Sequence, residues 1–137
     1  MTIFEKIIER EIPAYIVYED DDVIAFLDIS QATKGHTLVV PKKAYPNILE
    51  MPEDLLQKVI LVTQKITKAI NTAFQPSGIN ILNNTFETAG QTVFHFHIHI
   101  IPRYDKNDVT FKFQNHMGTL EENTYKERAL LIKKALL

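Results

Sequence analysis

Three histidines, His95, His97 and His99, alternate with apolar residues at period two in the run Gln91-Thr92-Val93-Phe94-His95-Phe96-His97-Ile98-His99-Ile100-Ile101-Pro102-Arg103. On an extended chain this period predicts that the imidazoles share one face while Phe94, Phe96, Ile98 and Ile100 pack on the other. A lone histidine on such a strand reads as a surface or core-satisfied residue. Three in register, in a chain with 5 histidines in all, point to chemistry. One candidate chemistry is metal ligation, since two histidines at i and i+2 can share a tetrahedral ion with a third ligand from His36 or His116. All three together spread too far for one small ion, because each i to i+2 step is roughly 6.5 Å. The other candidate is acid, base and nucleophile work on a phosphate. Imidazole suits it, being neutral near pH 7, nucleophilic at one nitrogen and held by a hydrogen bond at the other.

The elements that must position this run are legible around it. Ile3, Phe4, Ile7 and Ile8 have helical spacing and must stop before Pro13. Tyr15 to Glu19 and Val23 to Leu27 predict two strands of a hairpin, joined by the acidic turn Glu19-Asp20-Asp21-Asp22. The acids read as a solvated turn, because consecutive carboxylates cannot all converge on one ion from a tight turn. Thr37 to Val40 predicts a third strand, ended by Pro41. A long helix over 53–75 follows from the rhythm of Leu56, Val59, Ile60, Thr63, Ile66, Ile70, Ala73 and Phe74. Ile79 to Leu82 and Val93 to Ile101 predict two more strands around the polar loop Asn83 to Gln91. Thr119 and Glu122, spaced as a capping box, predict a last helix carrying Leu130, Leu131 and Leu136. The order makes an α+β protein with a mainly antiparallel sheet.

Composition narrows the function. The 137 residues fit one domain, 1–137, with no repeat or linker, and 15 Lys plus Arg against 17 Asp plus Glu leave a net charge of −2. That balance argues against a dedicated nucleic-acid or anionic-membrane binder. The absence of cysteine removes disulfides, thiol catalysis and thiolate metal sites. Glu5, Glu9 and Arg10 interrupt the apolar N-terminal residues, and no apolar run approaches membrane-spanning length. The chain therefore reads as soluble and cytoplasmic.

His95-Phe96-His97-Ile98-His99-Ile100-Ile101 resembles the signature of the histidine triad (HIT) superfamily, in which three histidines alternate with apolar residues. The blocks Ile3 to Ile8, Glu11 to Ala14, Tyr18 to Asp20, Ala25 to Ile29, His36 to Lys42 and Gly90 to Val93 extend the resemblance to its small nucleotide-hydrolysing members, from about residue 3 to Arg103. The resemblance implies a HIT-like fold whose sheet continues across a homodimer, and a nucleotide as ligand. It also implies that His97 is the nucleophile on an α-phosphorus, oriented by the His95 carbonyl, and that His99 contacts the phosphate while His36 supports His95 in a buried polar chain. Asn84, beside Asn83, with Gly90 and Thr92 would bind phosphate, and Gln91 would lie near the scissile atom. Asp28 would hold the ribose hydroxyls. Phe4, Ile7, Phe26, Leu27 and Ile29 would line a base pocket, although plain core packing explains the apolar ones equally well.

The implied activity is release of a nucleoside monophosphate, AMP foremost, from a phosphoramidate or other adenylated compound. The alternatives are a dinucleoside polyphosphate hydrolase, which the Pro102-Arg103 ending also fits, and a non-catalytic nucleotide-binding adaptor. Many bacterial relatives carry a structural zinc held by Cys-x-x-Cys and a histidine. Thr2, Glu5 and Tyr45 stand at those positions here, so no metal and no cofactor are expected.

Overall fold

The computed structural model describes all 137 residues. In chain order the elements are α1 (Ile3–Ile8), β1 (Ile16–Glu19), β2 (Val23–Leu27), β3 (Thr37–Pro41), α2 (Glu53–Phe74), β4 (Gly78–Leu82), β5 (Ile98–Arg103) and α3 (Glu122–Ala135), with short 3-10 turns at Ile48–Glu50 and Glu87–Ala89. The strands form one five-stranded sheet in the order β1-β2-β3-β5-β4. Every pairing in it is antiparallel. The acidic turn before β2 is built by Asp20, whose carboxylate accepts from the backbone of Asp22 and Val23. No helix is long and apolar enough to cross a membrane.

Both faces of the sheet are covered, which explains the unbroken apolar run of β2. Val23, Ala25, Val39, Phe96, Ile98 and Ile100 point to one face and pack with Val59, Val62, Ile66 and Ile70 of α2. Ile24, Phe26, Leu38 and Val40 point to the other, where Phe4 and Ile7 of α1 cover them. The second face is the shallower one, because α1 has 6 residues against 22 in α2. Its uncovered part is where the histidines emerge.

Three expectations need correction. The last strand begins at Ile98, not Val93, because β5 finds partners only from there: Ile98 faces Val39, and His99 faces Leu38 and Leu82. Upstream, the Phe96 N–H donates to the Tyr45 carbonyl at 2.6 Å instead of to a ladder. The alternation survives in this irregular stretch, with Phe96 buried, whereas Phe94 is half exposed instead of packed. The capping box at Thr119 and Glu122 does not form either. The N-cap of α3 is Glu121, without a side-chain bond, and the Thr119 hydroxyl donates to the His116 carbonyl. Leu130 and Leu131 on α3 and Leu136 at its C-cap are exposed. The capping box that does form was not read from the sequence. It lies at α1, where Thr2 Oγ1 accepts from the Glu5 N–H at 3.2 Å and Glu5 Oε1 accepts from the Thr2 N–H at 2.9 Å.

Phe96 is 1% exposed and joins β5 to α2. Phe96→Ala should lower unfolding free energy by about 3–5 kcal/mol in urea denaturation. A loss below about 1 kcal/mol would show that the α2 core does not depend on this ring.

Candidate active site

A cavity of about 350 Å³ opens on the α1 face of the sheet. Phe4, Ile7, Phe26, Leu27 and Ile29 line its apolar end, and Asp28, Thr92, His97 and His99 line its polar end. No lysine or arginine lines it. Ile3, Leu38, Val93 and the segment Ile12 to Tyr15 also contribute and were not anticipated. Only the apolar run around Pro13 hinted at them. His36, His95, Asn84, Gly90 and Gln91 do not line the cavity, and their places are informative.

Hydrogen-bond accounting assigns the proton on every ring of the cluster. His97 Nδ1 lies 2.7 Å from the His95 carbonyl oxygen, which can only accept, so Nδ1 bears the proton and Nε2 keeps its lone pair. His95 Nε2 lies 2.8 Å from the Pro41 carbonyl and is likewise the protonated nitrogen. His95 Nδ1, 3.3 Å from Thr2 Oγ1, then accepts from that hydroxyl. His36 Nδ1 accepts from the Ala32 N–H at 3.3 Å, which puts the His36 proton on Nε2. Nε2 donates it to His99 Nδ1 at 2.9 Å. The remaining His99 proton is therefore on Nε2. Neither His97 Nε2 nor His99 Nε2 has a protein partner, and neither is among the sealed unpartnered atoms, of which Thr33 Oγ1 is the one example. The polar end of the cavity thus holds one nucleophilic lone pair and one N–H donor.

This wiring corrects the expected polar chain, for His36 supports His99 and not His95. Gln91 is also elsewhere. Its side chain is buried, donating to the Pro46 and Val93 carbonyls and accepting from the Phe86 N–H, so it braces the loop before the triad. The Gly90 N–H is spent on the Glu87 carbonyl, and the left-handed φ of 100° there is what glycine provides. Asn84 reaches the Gly90 carbonyl at 3.5 Å, while Asn83 donates to the His97 carbonyl at 2.9 Å and anchors the backbone at the central histidine. Gln31 was missed by sequence reasoning. Its amide donates to the carbonyls of Asp28 and His36, each at 2.7 Å, and accepts from the Gly35 N–H, pinning the loop that carries both residues.

Burial lowers the pKa of His36, His95 and His97. It lowers that of His99 to about 4, with the neighbouring His97 and His36 adding to the effect. All four rings are neutral at pH 7, which the tautomer chain requires. Burial alone would push the Asp28 carboxyl up, but its bonds from the Ser30 hydroxyl and N–H outweigh this and hold it below the ordinary range.

Asp28, His36 and His99 bring three potential metal-ligand atoms within 4.8 Å of one another. The donor chemistry does not fit an ion, because His36 Nε2 is the protonated nitrogen as long as Nδ1 accepts from Ala32. The positions of the bacterial zinc do not fit either. Thr2 and Glu5 bond to each other in the helix cap, and Tyr45 offers neither thiolate nor imidazole.

The HIT domain family model matches residues 9–106. The chain belongs to the HIT family. It is 55% identical over 106 residues to "Protein hit" of Bacillus subtilis, covering 77% of this chain and 73% of that one. A crystal structure of a HIT family member from Bacillus subtilis superposes with a TM-score of 0.93 at 45% identity, over 97% of this chain and 95% of the other. Adenylylsulfatase HINT3 of Arabidopsis thaliana is 38% identical over 105 residues, which are 77% of this chain and 53% of that protein. Membership in this family supports a nucleotide-binding or hydrolase role.

The neutral rings have a thermodynamic signature. Their folded pKa values lie below the unfolded value of about 6.5, so between the two the unfolded chain binds more protons. Stability should therefore fall as the pH drops from 7 to about 5.5, where the carboxylates are still almost fully ionised. An unchanged urea midpoint across that interval would contradict the neutral assignment.

Proposed function

We propose that this HIT protein hydrolyses a nucleoside 5′-phosphoramidate or a related adenylated compound and releases AMP. The observation that carries the reading is the His97 ring, with Nδ1–H tied to the His95 carbonyl at 2.7 Å and Nε2 free at the cavity. The apolar end accepts the base and the Asp28 carboxylate accepts from the ribose hydroxyls. His97 Nε2 attacks the α-phosphorus, the bond to the leaving group breaks as that group takes a proton from solvent water, and a nucleotidyl-histidine forms with the ring positive. The His99 N–H and Thr92 hydroxyl donate to the phosphate oxygens as charge develops. Water then cleaves the P–N bond, its oxygen stays on AMP, one proton returns to solvent in place of the one the leaving group took, and His97 returns to its neutral form. The Arabidopsis relative named adenylylsulfatase supports an adenylated substrate.

A dinucleoside polyphosphate is the second reading. Arg103 gives it no help, because its guanidinium bonds to Asp108, Asn80 and the carbonyls of Asp105, Lys106 and Val109. With no cation lining the cavity, a substrate with one reacting phosphate fits better than a polyphosphate chain.

The test is turnover of adenosine phosphoramidate beside diadenosine polyphosphate, with AMP release measured for each. His97→Ala should cut turnover at least about a thousandfold while AMP affinity changes by no more than about tenfold. Rapid quenching of the unmodified chain should trap an acid-labile, base-stable nucleotidyl group on His97. Substantial turnover by His97→Ala, or label on another histidine, would sink the mechanism. Binding of AMP without any turnover would leave the adaptor reading.

We also propose that the protein works as a homodimer whose sheet continues through β4. This strand is an edge of the sheet, and Ile81 on it and Ile60 and Leu61 on α2 are 48%, 47% and 64% exposed. These side chains form one apolar surface that a second copy would cover. Light scattering at micromolar concentration should give twice the 15.8 kDa chain mass, and a monomer would refute the pairing.

A further inference from the structure

The His95 ring touches no substrate in the reading above, yet it is 0% exposed and bonded at both nitrogens. One bond, to the Pro41 carbonyl, is supplied by the sheet. The other comes from Thr2, 93 residues away in sequence, whose hydroxyl has one proton to give. That proton is free to point at His95 Nδ1 because the Thr2 oxygen takes the Glu5 N–H on a lone pair, while the Glu5 carboxylate holds the Thr2 N–H. Between these two residues Phe4 sets its ring edge-to-face against both His95 and His97, at centroid distances of 5.8 and 4.9 Å.

We propose that Thr2 is a positioning residue for the nucleophile: its hydroxyl locks the His95 ring, and through that ring the main-chain carbonyl that orients His97. The role goes beyond helix capping, because a cap needs only an acceptor whereas His95 Nδ1 needs a donor. Without the donor a sealed ring nitrogen is left unpaired, which costs more than the bond itself contributed. Flipping or protonating the ring relieves the deficit, and either change moves the carbonyl to which His97 Nδ1–H is bound. The inference rests on His97 as nucleophile for its kinetic consequence alone.

Three substitutions separate the roles. Thr2→Ser keeps both donor and acceptor, Thr2→Val keeps the shape and removes both, and Thr2→Asp keeps the capping acceptor and removes the donor. With adenosine phosphoramidate, Thr2→Ser should stay within about twofold of the unmodified kcat, while Thr2→Val and Thr2→Asp should each lose about tenfold with KM little changed. The thermal midpoint of Thr2→Asp should fall less than that of Thr2→Val, because the helix cap is kept and only the donor to His95 is lost. Nitrogen-15 NMR should show His95 protonated at Nε2 in the unmodified chain and in Thr2→Ser, and a changed ring signal in Thr2→Asp. Full kcat in Thr2→Asp would reduce Thr2 to a helix cap and overturn the proposal, as would an unaltered His95 signal in that variant. If Thr2→Val does not fold, the Ser and Asp variants decide the matter between them. If the unmodified chain turns over no phosphoramidate, the functional reading fails, and the His95 signals still decide whether Thr2 holds the ring.

Discussion

The arrangement at the site depends on one short hydrogen bond inside the triad, from the His97 Nδ1–H to the His95 carbonyl at 2.7 Å. A backbone oxygen cannot donate, so this bond leaves no choice of tautomer and no freedom to turn the ring. It places the only unspent lone pair of His97 at the cavity. The surrounding bonds can be understood as protection of that geometry. Asn83 holds the His97 carbonyl, Tyr45 takes the Phe96 N–H, and the His95 ring is tied to Pro41 and Thr2.

Burying four imidazoles on one face of a sheet is costly unless each ring nitrogen is either paired or left at the solvent edge. The pairings found here follow that rule. His36 and His99 share a bond, His95 has two partners, and the two unpaired Nε2 atoms belong to the rings that line the cavity. Neutrality and hydrogen bonding reinforce each other, because a proton added to His36 or His99 would convert an acceptor nitrogen into a second donor facing a donor. Burial and tautomer therefore support the same unprotonated state.

Loops hold the remaining groups, and each loop has its own amide clamp. Gln31 spans the turn between Asp28 and His36, and Gln91 spans the turn between Phe86 and Val93. Gly35 lets the first of these turns lie against Phe74 at the end of α2, since a side chain there would come within 2.8 Å of that ring. Arg103 performs a similar service beyond β5 by gathering the carbonyls of the 105–109 turn. Rigid elements supply the face, and these glutamine and arginine clamps fix where the connecting chain crosses it.

Much of this was legible in the residue order. The hairpin at the acidic turn, the long helix and the grouping of three histidines follow from local periodicity, which needs no partner to be read, whereas the cavity residues Phe4, Ile7 and Phe26 to Ile29 were implied only by the resemblance to the HIT family. The false capping box at Thr119 and the true one at Thr2 show the limit, because both have the same spacing and only at Thr2 does the helix start at the threonine. Strand ends were misread for a similar reason: residues 93–97 have the alternation of a strand but no neighbour to pair with. The sequence by itself determined that the imidazoles would share a face, since alternation is a property of adjacent residues. Which nitrogen of His95 and His99 carries the proton was decided by the tertiary structure alone, since the deciding partners lie 54, 63 and 93 residues away along the chain and meet the rings only when the sheet and α1 close over them, whereas His97 and His36 take theirs from the nearby His95 carbonyl and Ala32 N–H.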